Sequence, residues 1–148
     1  MRLVRVGAVV VWGVLWCVSL MLPVIPGYVG GTVLLWGWFA IFSLQLGWLA
    51  NLTLPAVALL SVLRGVSAPA KVVIAAVHVC LTISAMFWRS VPSEAGPLEV
   101  GSFGPGYYLW MGVMLGSAAF LMVTPLMDAK SINRRKLDTS PTGPDPRF

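Results

Sequence analysis

Long apolar runs separated by short polar breaks dominate the chain, and within the runs hydrophobic residues are nearly continuous rather than confined to one helical stripe. Four runs, at 6–22, 32–49, 70–88 and 107–127, approach the roughly 20 residues that an α-helix needs to cross a hydrocarbon core about 30 Å thick. A further run at 52–63 has too few residues for a comfortable crossing. Such a piece is expected to be interfacial, re-entrant or a half-inserted continuation of the second run. The break between the two is expected at Ala50-Asn51, where Asn51 or Thr53 can cap a new helix and Pro55 is tolerated in its first turn. The connector Pro23-Val-Ile-Pro26-Gly27-Tyr28-Val-Gly30-Gly31 and the polar segment 90–106, which holds Glu94 and Glu99, read as turns and loop.

Charge decides how many runs cross. With four crossings and the N-terminus in the cytoplasm, Arg2, Arg5, Arg64, Lys71, Lys130, Arg134, Arg135 and Lys136 share the cytoplasmic side, and Arg89 alone lies opposite. A fifth crossing at 52–63 would carry Arg64, Lys71 and the basic tail to the outside. The expected fold is therefore all-α: an integral membrane four-helix bundle with both termini cytoplasmic and a short extra helix after the second span. Residues 1–128 form the transmembrane domain, and 129–148 a basic, disordered cytoplasmic tail.

Composition agrees with this reading. Hydrophobic residues make up 58% of the chain and charged ones 10%, against about 25% charged in a soluble domain. The net charge of +5 is explained by topology, so nucleic acid is not an expected partner; the bilayer is. The start, Met1-Arg-Leu-Val-Arg5 before an apolar run, resembles a signal peptide, but the run exceeds an h-region of about 7–15 residues and no small-x-small cleavage site follows. It reads as an uncleaved first span. Tyr28, Trp88, Tyr107, Tyr108 and Trp110 collect at the outer boundary as an aromatic belt. Trp12, Trp16, Trp36, Trp38 and Trp48 lie deeper, as packing or lipid-facing surface.

Chemistry-bearing residues are few. Within the spans the polar candidates are Gln45 and His78, which the rise of about 1.5 Å per residue puts at matching depths. The expected arrangement is an interhelical hydrogen bond between them, with a pH-sensitive His78 as the functional alternative. Two cysteines, Cys17 and Cys80, and one histidine fall short of a zinc or haem site. No Gly-x-Ser-x-Gly, His-Glu-x-x-His or carboxylate pair is present. No cofactor, metal or catalytic residue is expected, and the chain reads as a non-enzyme. Asn51-Leu52-Thr53 matches a glycosylation triplet, but the topology puts it at the inner membrane face. Helix-packing signals are stronger: Gly112 and Gly116 form a Gly-x-x-x-Gly, and Ala76, Cys80 and Ser84 a small-residue stripe. A hairpin between spans three and four, or a homodimer through Gly112 and Gly116, would use them.

The phrases Gly47-Trp48-Leu49-Ala50-Asn51 and Gly104-Pro105-Gly106-Tyr107-Tyr108-Leu109-Trp110, with the Leu22-Pro23…Pro26-Gly27 connector, resemble small multi-span bacterial inner-membrane proteins with no assigned function. The resemblance implies a bacterial cytoplasmic membrane and carries no site residues. Two roles follow: an interaction, accessory or immunity-type protein, with a membrane-protein partner or self-association; or a small permeability element, holin-like or channel.

Overall fold

The computed structural model describes residues 2–39, 45–93 and 96–138. It is mostly helical, with five α-helices: α1 Arg2–Met21, α2 Gly30–Trp36, α3 Ala50–Val62, α4 Ala68–Ser84 and α5 Pro105–Asp138. Three helical stretches, Arg2–Met21, Ala68–Phe87 and Pro105–Asp128, are long and apolar enough to cross a membrane. The first, third and fourth runs of the sequence thus become single helices.

The second run does not. Helix α2 spans only seven residues, and a 3-10 turn, Leu46–Leu49, leads into α3. The end of α2 is set by Trp48, whose Nε1 donates to the Leu34 carbonyl at 2.8 Å. That bond satisfies a carbonyl otherwise orphaned at a helix C-terminus. The same ring lies where a side chain at Gly37 would be, so only glycine admits it. The expected break at Ala50-Asn51 is therefore displaced upstream, and residues 40–44 of the run lie outside the described residues. Asn51 and Thr53 sit inside the first turn of α3, and neither caps it.

Helix α3 is not set apart from the other helices. It packs against α1, α4 and α5, with Ala50, Val57 and Ser61 buried. Counting its 12-residue apolar run alone underestimates it, because the 3-10 turn extends the apolar helical stretch to Leu46–Val62. Gly47 of that turn lies flat on α4: a Cβ there would come within 2.6–2.8 Å of Ala85.

The turn-rich connectors are β-hairpins. β1 (Pro23–Ile25) pairs with β2 (Tyr28–Val29) around Gly27 at φ +83°, and β3 (Ser90–Ser93) pairs with β4 (Gly96–Glu99). The first hairpin docks on the start of α5, where the Gly104 amide donates to the Val24 carbonyl at 2.7 Å. A Cβ on Gly106 would meet the Leu22 and Pro23 carbonyls at 2.7 and 2.9 Å. At the opposite end, Arg5 of α1, Lys71 of α4 and Asp128 of α5 converge. Helix α5 continues to Asp138, ten residues into the expected tail, and 139–148 lies outside the described residues.

On α1 and α4 hydrophobicity is distributed inside out. The buried residues of α1 are Arg5 and Ser19, and those of α4 are Lys71, Ala75, His78 and Thr82. Exposed positions on the same helices include Val10, Val11, Val14, Val72, Val73 and Val77. Near the hairpins, Val24, Ile25, Trp88, Tyr107, Trp110 and Met114 form an apolar cluster. Three of the five expected belt residues, Trp88, Tyr107 and Trp110, are therefore core, whereas Tyr108 is exposed. Their packing against the first hairpin explains the difference.

Candidate functional site

Three polar layers cross the packed helices. In the layer nearest the hairpins, Asn51 is the hub. Its Oδ1 accepts from Trp16 Nε1 of α1 at 3.1 Å and from Trp110 Nε1 of α5 at 2.9 Å. Its Nδ2 donates to the Trp48 carbonyl at 3.1 Å. One amide thus joins three helices, because a carbonyl oxygen has two lone pairs and both indoles are donor-only. Trp88 lies close by with its Nε1 buried and without a hydrogen-bond partner among the described residues. A narrow cleft here has about 40 Å³ of free space between Ser19, Val24, Trp48 and Trp88, room for little more than a water or two. On its other side Asn51 borders a larger apolar cleft of about 220 Å³ between α1 and α3, walled by Trp12, Trp16, Leu54, Pro55 and Phe120. That exceeds the roughly 150 Å³ of an apolar cavity that admits benzene.

The middle layer holds His78, fully buried. Nδ1 lies 2.6 Å from Thr53 Oγ1 of α3, and Nε2 lies 3.5 Å from Ser117 Oγ of α5, at the limit of a hydrogen bond. Thr53 Oγ1 also donates to the Ala50 carbonyl at 3.0 Å. A hydroxyl has one proton, so with that bond made Nδ1–H donates to Thr53; Ser117 Oγ in turn donates to the Met114 carbonyl at 2.9 Å. The expected bond between Gln45 and His78 is absent from the layer. Both imidazole nitrogens face hydroxyls, and the buried Gln45 Oε1 has no partner among the described residues. The matching of depths assumed one straight second span; the interruption before Leu46 removes that premise.

The third layer is ionic. Arg5 Nη2 donates to Asp128 Oδ1 at 2.8 Å and to the Thr124 carbonyl at 2.9 Å. Lys71 Nζ donates to Thr124 Oγ1 at 3.0 Å and to the Leu63 carbonyl at 3.4 Å, and lies 4.0 Å from Asp128 Oδ2. Arg5 and Lys71 are each 1% exposed and Asp128 31%. Side chains read as topology signals are thus also interhelical ties.

The packing signals divide. Gly116 receives the Trp12 ring of α1, with Cη2 2.5 Å from where a Cβ would stand, while nothing lies within 4 Å of that point on Gly112. The Gly-x-x-x-Gly is half used, and by α1 rather than α4. Ala76 and Cys80 are exposed and Ser84 half-buried; α4 turns Lys71, Ala75, His78 and Thr82 inward instead. With Leu46, the three expected face residues border an open groove. Cys17 is likewise exposed, so neither cysteine serves as a core packing residue.

Sequence reasoning did not single out Asn51, Trp16, Trp110, Thr53 and Ser117 as partners. One signal was readable for the ionic layer: Asp128 is an acid at the end of the apolar stretch of α5 that meets two basic residues just inside α1 and α4. The three phrases that carry the resemblance also meet in space, since Gly104 and Gly106 hold the Leu22-Pro23 connector and Asn51 holds Trp110. Among the described residues no group of three His, Cys, Asp or Glu could hold a metal ion. No family model, curated protein or solved structure matches the chain.

Proposed function

We propose that this is a multi-pass protein of the bacterial cytoplasmic membrane, a four-helix bundle of α1, α3, α4 and α5 with both termini in the cytoplasm, acting as a non-enzymatic interaction or accessory subunit. The observation that carries the reading is the inside-out pattern of α1 and α4: their buried positions are mostly polar and feed three layers that tie the helices together, while their valines are largely exposed. In lipid, exposed valines and leucines are matched to their surroundings, and interhelical hydrogen bonds replace the missing hydrophobic drive between helices. An immunity-type role against a membrane-acting toxin is one form of this reading. Polar groups consumed in this way leave a rigid scaffold with lateral faces. The face offered to a partner helix is the open groove of Ala76, Cys80 and Ser84, where small side chains permit close approach.

The test is affinity capture of the tagged full chain from its native membrane in mild detergent, beside an A76L/S84L variant that fills the groove. A stoichiometric membrane-protein partner, or a second copy, that the variant loses is the expected result. A monomer without a partner, or one retained equally by the variant, overturns the reading.

A further inference from the structure

Among the described residues, the ionic layer holds two cations and one carboxylate, and one of the cations is incompletely bonded. Arg5 makes both of its bonds through Nη2. Its Nε and Nη1 are buried without a hydrogen-bond partner among the described residues. Charged donors shielded from water are strongly disfavoured unless an acceptor meets them. Lys71 stands on the same carboxylate at 4.0 Å, too long for a hydrogen bond and close enough for attraction. Arg5, Lys71 and Asp128 together carry a net charge of +1. The cluster is not sealed, because the Asp128 side chain is 31% exposed at the helix ends.

We propose that Arg5 and Lys71 form a binding site for a phosphate oxyanion beside Asp128. Guanidinium suits the site because its planar donors match phosphate oxygens in pairs, and the Lys71 ammonium adds a point charge. Position suits it too. The cluster joins α1, α4 and α5 at the common end of three helices of membrane-crossing length, and lipid phosphates lie at the edge of the hydrocarbon core. The lipid source rests on the membrane-spanning reading; a free phosphate does not.

The test uses the purified full chain in an uncharged detergent with two probes, phosphatidylglycerol and inorganic phosphate. Native mass spectrometry should find phosphatidylglycerol retained by the wild type. R5Q should weaken retention by about tenfold or more, the loss of a charge-assisted pair. R2Q, which removes an exposed charge from the same end of α1, should stay within about twofold, since exposed charges act weakly and diffusely. Equal losses in R5Q and R2Q overturn the site in favour of general attraction. Should R5Q fail to fold, D128N provides the second arm. It leaves two buried cations without their carboxylate, so its thermal midpoint should fall and then rise with added oxyanion. Rescue by inorganic phosphate identifies a free-anion site, and rescue by phosphatidylglycerol alone a headgroup site. A midpoint that responds to neither overturns the proposal. Alkaline carbonate treatment of membranes carrying the wild type checks the spanning reading separately. Release of the protein sinks that reading and leaves the detergent assay to decide the site.

Discussion

Replacing Asn51 by Leu removes the hub of the layer nearest the hairpins while keeping the number and branching of side-chain heavy atoms. Two indole N–H groups, on Trp16 and Trp110, lose their acceptor, and the Trp48 carbonyl loses a donor. At the average of about 0.6 kcal/mol for an interhelical hydrogen bond in a membrane protein, three bonds give roughly 2 kcal/mol. Counting instead the desolvation penalty of about 1–3 kcal/mol for each stranded indole donor gives roughly 2–6. Added apolar contact from Leu offsets part of this, by about 1 kcal/mol. The expected net loss is therefore about 2–3 kcal/mol, measured as the shift in folded fraction when the purified protein in mild micelles is titrated with SDS. A cycle with W110F isolates the mechanism. W110F alone removes one donor, so N51L in that background should cost about 1 kcal/mol less than in wild type. An N51L protein within about 0.5 kcal/mol of wild type, or losses that simply add, would refute the hub.

Three further contrasts follow from the same geometry. G116A forces the Trp12 ring aside and should cost about 1–3 kcal/mol, whereas G112A meets nothing and should be neutral or gain up to about 1 kcal/mol of helix propensity in the same SDS titration. T53V strands His78 Nδ1 and should cost about 1–3 kcal/mol; Q45L removes an oxygen that has no partner among the described residues, and a Q45L/H78A cycle should show no coupling. W88F deletes an N–H that bonds nothing among the described residues and should cost less than W110F, whose N–H is bound to Asn51, as read by thermal unfolding in detergent.

The long helices were legible because continuous hydrophobicity over about 20 residues has few alternatives. What escaped was the second run, where hydropathy is equally high but chain geometry intervenes. Trp48 folds back over Gly37 and takes the Leu34 carbonyl, a tertiary contact that no local window contains. With that interruption Gln45 makes no bond to His78, and Asn51 and Thr53 serve as half-buried interhelical partners rather than caps. Charge told a partial truth: Arg5 and Lys71 sort to one end as the topology rule expects, yet both are buried, because Asp128 lies within reach. On α4 the small residues suggested one face and burial chose another; a buried histidine, lysine and threonine need partners more than Ala76 and Cys80 need contact. Aromatic position was misleading near the hairpins, since the first hairpin covers Tyr107 and Trp110 and makes core of an expected belt.

The central claim is that α3, not a continuous run at 32–49, makes the second crossing of a four-helix bundle. It is tested most directly by single cysteines in a background lacking Cys17 and Cys80, labelled with a membrane-impermeant maleimide on intact cells. The exposed positions Pro26 and Ser102 lie at the hairpin end, and Ser67 lies between α3 and α4 at the other. P26C and S102C should label from outside, and S67C only after permeabilisation. Labelling of S67C together with P26C on intact cells would place α3 on the outer side and contradict the account.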